Sequence, residues 1–211
     1  MAVIEYFYAA HSGYAYIGSK LLSEVAAAAG ARIDHRPFDW HAVLAANGPN
    51  PTNGLTPQRQ AYFSGREIER WAEARGLEII TGRMPTYHDN DYGFANCMLI
   101  ASSLEGAGTD ALANRLLEAH WRDDADLADA ATLSRLGNEA GVDAARLLAA
   151  ANSAEVQAIY RSNTAEAIER SVFGSPTYFV DGDMFYGQDH LELVARALVK
   201  PFSGTWPLPA A

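Results

Sequence analysis

Strand-forming sequence sits in two short stretches at opposite ends of a 211-residue chain, and that separation constrains the fold more than any other feature. The first, Val3–Tyr8, is rich in β-branched and aromatic residues. It turns through Ala9-Ala10-His11-Ser12-Gly13 into an alanine-rich run that ends at Gly30. Ser12 suits the N-cap of that helix and Gly30 its C′ position. Residues 32–38 read as a second strand, so the chain opens as a βαβ unit with a right-handed crossover and a parallel strand pair. Strands return only after Arg170, where residues 176–180 and 183–186 flank Asp181-Gly182, a two-residue hairpin signal. Residues 191–199 close the pattern as a helix, giving βαβ, a long insert, then ββα.

The insert begins with 46–54, whose Gly, Pro and Asn content marks an irregular loop. From 57 to 170 the pattern reads as almost wholly helical, with helices expected over 61–75, 91–105, 110–122, 132–140, 143–150 and 153–170. Residues 1–45 and 171–200 are thus read as one discontinuous domain, 46–170 as a helical insertion domain and 201–211 as a tail. The acidic segment Asp123-Asp124-Ala125-Asp126 lacks the glycine and terminal glutamate of a calcium loop, and reads as a solvated turn with helix-capping aspartates.

A hydrophobic content of 49% and a charged content of 20% fit a folded globular chain. The formal net charge of -10, without a basic stripe, argues against nucleic acid as a partner. No apolar run approaches the roughly 18 residues of a membrane span, and the start lacks the pattern of a secretory leader. A cytoplasmic protein without membrane association is expected. The single cysteine, Cys97, lies in an apolar helical stretch, where a thiol packs as a small hydrophobe. Six histidines, His11, His35, His41, His88, His120 and His190, show no zinc-ligand spacing, so no metal is expected.

Neither a phosphate-binding glycine loop nor a G-x-S-x-G elbow is present. The order of elements instead predicts an α/β, thioredoxin-like fold (βαβ … ββα) with a large all-helical insertion. In such a fold the loop after the first strand approaches the turn before the third, so Ser12 would face Ser175-Pro176. A proline there is typically cis and leaves the backbone of the preceding residue free to pair with a peptide-like ligand. Ser12-Gly13-Tyr14-Ala15 stands where a redox member would carry Cys-x-x-Cys, and thiol–disulfide exchange needs two such thiols. Taken alone, Ser12 is equally well a helix cap, and Ser175-Pro176 a strand-entry turn.

Four motifs carry a resemblance across residues 3–199: the stretch 7–16 around Ser12, the loop 50–62, Val172-Phe173-Gly174-Ser175-Pro176, and Tyr186-Gly187-Gln188-Asp189. The chain resembles the 2-hydroxychromene-2-carboxylate isomerases and kappa-class glutathione transferases, in the DsbA-like branch of the thioredoxin superfamily. The resemblance implies glutathione as cofactor, with Ser12 on its sulfur, Asn50 on the tripeptide and Arg59 on the glycyl carboxylate. It further implies Ser175, ahead of Pro176, on the cysteinyl backbone, and Gln188 and Asp189 on the γ-glutamyl end. A homodimer is implied as well. The activity expected is a glutathione-dependent isomerase of an aromatic or unsaturated carbonyl compound, working by reversible thiolate addition. The alternatives are a kappa-like transferase that conjugates glutathione to an electrophile, and a non-catalytic glutathione-binding protein.

The chain departs from the family pattern D-x-x-S-P, having Ala9 and Ser12-Gly13 there, and carries His190 where an arginine is usual. The often arginine-bearing loop of the isomerase pocket reads Tyr87-His88-Asp89-Asn90-Asp91-Tyr92. Those losses weaken the case for a carboxylate substrate, while the tyrosines still suit a ring. His11, Tyr14, Tyr87 and Tyr92 are candidate substrate-pocket residues, with Trp40, Phe63 and Phe94 as further walls. His11 is either a proton shuttle or an exposed loop histidine, the latter being expected.

Overall fold

A computed structural model describes residues 1–47, 56–106, 108–204 and 206–207. Strand β1 (Val3–Tyr8) lies beside β2 (Arg32–Pro37) in parallel and beside β3 (Thr177–Val180) antiparallel; β3 pairs antiparallel with β4 (Asp183–Tyr186). The sheet order is β2-β1-β3-β4. Phe7 pairs with Thr177 in this register, which brings the end of β1 to the Ser175-Pro176 turn. Asp181 and Gly182 both have positive φ, 50° and 86°, as the tight hairpin requires. The mixed sheet with many helices is the thioredoxin-like fold with a helical insertion that the order of elements predicted.

Helix α1 (Gly13–Ala29) is capped by Ser12, whose Oγ accepts from the Ala15 N–H, and ends at Gly30 with φ 58°. Residues 38–47 hold a helix that the sequence reading passed over, α2 (Trp40–Ala46), started by the Asp39 carboxylate on the Ala42 N–H. Next come α3 (Pro57–Ala61), a π-helical turn (Tyr62–Arg66) and α4 (Glu67–Arg75), one winding where a helix was expected from 61. The other helices are α5 (Gly93–Glu105), α6 (Thr109–Arg122), α7 (Ala130–Glu139), α8 (Ala144–Ala151), α9 (Ala154–Glu169) and, after a 3₁₀ turn (Gln188–His190), α10 (Leu191–Val199).

Residues 77–92 contain no helix, in keeping with the gap left between the helices expected over 61–75 and 91–105, and α5 starts at Gly93 rather than at 91. The backbone of 77–92 is held from outside: Tyr16 Oη donates to the Glu78 carbonyl, and the Ile80 N–H to that of Trp121. The acidic segment is a partly solvent-exposed turn, as expected, that also clamps the 77–92 loop. The Asp124 carboxylate accepts from Arg83, from the Thr86 hydroxyl and from the Thr86 N–H, and Asp126 accepts from Asn90.

Alternation along β1 sends its side chains to two cores. Ile4, Tyr6 and Tyr8 join the larger one, with Tyr178 and residues of α1, α5, α6 and α10. Phe7 goes to the smaller, with Phe38, Val43, Ala167, Val172 and Phe179. Tyr6 stacks between Tyr8 and Tyr178, at centroid distances of 4.0 and 5.4 Å. Tyr8 Oη lies 2.9 Å from His35 Nδ1, and His35 Nε2 2.7 Å from Asp110. Because a carboxylate only accepts, the ring proton of neutral His35 sits on Nε2, and Nδ1 accepts from the tyrosine.

Candidate active site

Three elements meet where β1 ends. The Ala9 N–H donates to Ser175 Oγ at 3.1 Å, and Ser12 Oγ donates to the Ser175 carbonyl at 3.1 Å. The Ser175-Pro176 bond is cis, as expected, and the Gly187 N–H donates to the Pro176 carbonyl at 2.9 Å. Fully buried Asn96 fastens the loop after β1, accepting from the Ala10 N–H and donating to the Phe38 carbonyl, both at 3.0 Å. Trp121 fixes its other side, donating from Nε1 to the His11 carbonyl at 2.8 Å. The Trp121 ring lies so close to α1 that a Cβ on Gly13 would stand 2.7 Å from it. The glycine after Ser12 is therefore explained by packing. Gly174 is similar: a Cβ there would meet the Tyr186 ring at 2.2 Å.

A cleft of about 870 Å³ opens from this junction, floored by Ala9, Ser12, Gly13, Gly174 and Ser175. Its walls include Tyr14, Trp40, Phe63, Trp121, Phe173 and Tyr186, with His11, His41 and His88. Phe63, Phe173 and Tyr186 are each more than two-fifths exposed, so its mouth is apolar and open to a ring-bearing ligand. None of the described residues lining it is Lys, Arg, Asp or Glu.

The expected exposed loop histidine is corrected here: His11 is 7% exposed, and its Nδ1 has no partner among the described residues. Its ring stacks on Tyr92 at 3.8 Å and 15°. Burial, reinforced by the charges that His88, His120 and His41 would carry, pushes its pKa down to about 2, so the ring is neutral. His88 is pushed down to about 4, first by burial and then by His120.

Ser12, Ser175, Tyr14 and His11 line the cleft. Tyr92 is buried behind His11, with its hydroxyl 3.1 Å from His41 Nδ1, and Tyr87 stands exposed outside the described lining. Arg59 is exposed on α3, beside cleft residue Gln60. Gln188 is buried against α1, its Oε1 accepting from Arg75 and its Nε2 unpartnered among the described residues. Asp189 is exposed. Asn50 lies outside the described residues. Phe173 and Tyr186 fall in the two motifs that contain Ser175 and Asp189, and His88 in the loop 87–92, though none is singled out in the sequence; Trp121 and His41 carry no local signal, because they converge from separate elements.

Fold and cleft together define a thioredoxin-type protein with a serine at the helix start where redox members place a thiol. The chain belongs to the family described as DSBA-like thioredoxin domain, whose model matches residues 3–199. It is similar to the 2-hydroxychromene-2-carboxylate isomerase of Sphingobium xenophagum, 26% identical over 198 residues that cover 93% of this chain and 97% of that protein. The isomerase of the same name from Pseudomonas putida is 26% identical over 203 residues, covering 93% of this chain and 94% of its own. A solved 2-hydroxychromene-2-carboxylate isomerase superposes with a TM-score of 0.80 at 24% identity, covering 94% of this chain and 95% of its own. The first two relatives support an isomerase. No described helix is long and apolar enough to cross a membrane.

Proposed function

We propose that this chain is a glutathione-dependent isomerase acting on an aromatic or unsaturated carbonyl compound. The observation that carries the reading is the position of Ser12, at the N-terminus of α1 and on the floor of an aromatic-walled cleft. When bound, glutathione supplies a thiolate that can add to an activated alkene and leave again after rotation about the former double bond. Ser12 provides a hydroxyl hydrogen bond to the sulfur, and the positive end of α1 favours an anion there. Ser175 offers its backbone to the peptide part of the ligand, in the manner of an added strand. Arg59 and Asp189, both exposed, are available to the carboxylate and ammonium groups at its two ends. The aromatic walls hold a ring by stacking.

Titration of the full chain with reduced glutathione, followed by turnover of 2-hydroxychromene-2-carboxylate, tests the reading. An isomerase leaves the free thiol concentration unchanged at the end of the reaction. Stoichiometric loss of thiol would mean a transferase, and absence of glutathione binding would refute both.

A further inference from the structure

Four histidines widely separated in sequence, His11, His41, His88 and His120, meet beside the cleft. Ring centroids lie 5.0 Å apart for His11 and His88, 5.4 Å for His88 and His120, and 6.3 Å for His11 and His41. Two contacts fix where the protons sit. His120 Nδ1 is 3.0 Å from the Ala125 carbonyl, which only accepts, so His120 carries its hydrogen on Nδ1. In the neutral ring Nε2 is then a lone pair, and His88 Nδ1, 3.1 Å away, must be the donor. The proton of neutral His88 is thereby held on Nδ1, and its Nε2 is an acceptor. That nitrogen has no hydrogen-bond partner among the described residues, and His88 lines the cleft.

We propose that His88 is the proton acceptor of this cleft, its Nε2 taking the proton of a hydroxyl group on the substrate, and that His120 is a positioning residue which holds the required tautomer. The inference rests on the isomerase reading only for the identity of the reaction. In the step, the substrate O–H bond breaks, the electron pair stays on oxygen, and the proton joins Nε2 to give an imidazolium whose Nδ1–H still points at His120. Return of that proton to the rearranged substrate restores the neutral ring, so no further reactant is consumed.

The surroundings suit such a base. Burial, and then His120 and His41, oppose a standing positive charge on His88, while Asp89 favours it; His120 in turn faces Asp124 and Asp126. The lone pair is thus free at neutral pH. A sulfur anion bound at Ser12, next in sequence to His11, would raise the basicity of His88 when the proton has to be taken.

The test uses the full chain with ¹⁵N-labelled histidine. Long-range ¹H–¹⁵N correlation is expected to show His88 with protonated Nδ1 and bare Nε2 at neutral pH, and His120→Phe should return it to the Nε2–H form preferred by free imidazole. In parallel, His88→Gln is expected to lower kcat for 2-hydroxychromene-2-carboxylate with glutathione about 100-fold or more, with glutathione affinity unchanged. His120→Phe should lower kcat less, and His120→Gln, whose amide oxygen can accept from Nδ1, should recover part of the loss. A protonated Nε2 in the wild type would overturn the proposal, as would a kcat within twofold of wild type in a folded His88→Gln. The tautomer measurement needs neither glutathione nor turnover. A chain that failed to bind glutathione would therefore sink the isomerase reading and leave the tautomer to decide this one.

Discussion

Ser12 donates its hydroxyl to the carbonyl of Ser175 across 3.1 Å, while the same oxygen accepts from the Ala15 N–H at 3.2 Å. One proton thus ties the start of α1 to the turn before β3. To serve a bound sulfur anion the hydroxyl must leave that carbonyl. The exchange is favourable, because a neutral hydrogen bond contributes about 0.5–1.5 kcal/mol net and one to an ion about 1.5–3. The Ala15 contact can persist throughout, so Ser12 can cap the helix and hold the ligand together.

As a cap, Ser12 should have a modest effect on stability. Ser12→Ala is expected to cost about 1 kcal/mol in urea unfolding, and Ser12→Gly only a few tenths from the capping term. Equal losses in the two variants would mean that the bond to Ser175 dominates.

Gly13 should tolerate no side chain. Its Cβ would stand 2.7 Å from the Trp121 ring, which also holds the His11 carbonyl. Gly13→Ala is expected to destabilise by about 1–3 kcal/mol. Gly65→Ala, in a helical turn where nothing lies within 4 Å, should be neutral or stabilising. Paired denaturant curves decide.

The buried histidines should make the protein acid-sensitive. Folding pushes His11 from 6.5 down to about 2 and His88 from 6.5 down to about 4, and it lowers His120 as well, burial being the leading cause each time. The unfolded chain therefore binds these protons first. Stability is full above about pH 6.5 and is lost as the pH falls through 6.5 toward 4, with a slope of up to about 1.4 kcal/mol per histidine and pH unit. Urea unfolding at several pH values should show the loss, and His11→Phe should flatten it. An unchanged slope in that variant would contradict the placement of His11.

Cys97 should be chemically silent. It is buried, accepts from Gln157 Nε2 at 3.2 Å, and has its thiol pKa pushed up to about 11, chiefly by burial. A thiol reagent is expected to react only after denaturation, and Cys97→Ser to keep whatever activity the wild type has. Fast labelling of the native chain, or insulin reduction abolished by Cys97→Ser, would refute this.

The ends of the chain were the most legible part of its sequence. Ser12, Gly30 and Asp181-Gly182 each do locally what their residue type predicts, and the segment Leu191–Val199 is helical throughout. The path of segment 77–92 is not legible in the sequence, because it is set by distant partners, Tyr16, Trp121 and the Asp124 clamp, that leave no periodic signal. Helix α2 is only seven residues long and follows a strand at once, so its Asp39 cap was the one available cue. In the site, Ser12 and Ser175 were legible because order along the chain implies their meeting. His11 was legible as a pocket candidate but not its burial, and its meeting with His41, His88 and His120 was not, since residues from four separate segments converge only in the folded chain.

The central claim is that Ser12 stabilises a glutathione thiolate, and a pH titration of the ultraviolet thiolate absorbance of the complex tests it most directly. A free thiol titrates near 8.5. The hydroxyl bond and the helix end together favour the anion by about 2–3 kcal/mol, which is about 1.5–2 pH units. The wild-type complex should therefore titrate close to or just below neutrality. Ser12→Ala should bind the tripeptide nearly as well, because the contacts proposed for its ends would remain, yet titrate much nearer the free thiol and lose most of the rate. Coincident curves for the two proteins would contradict the account and leave Ser12 as a helix cap alone.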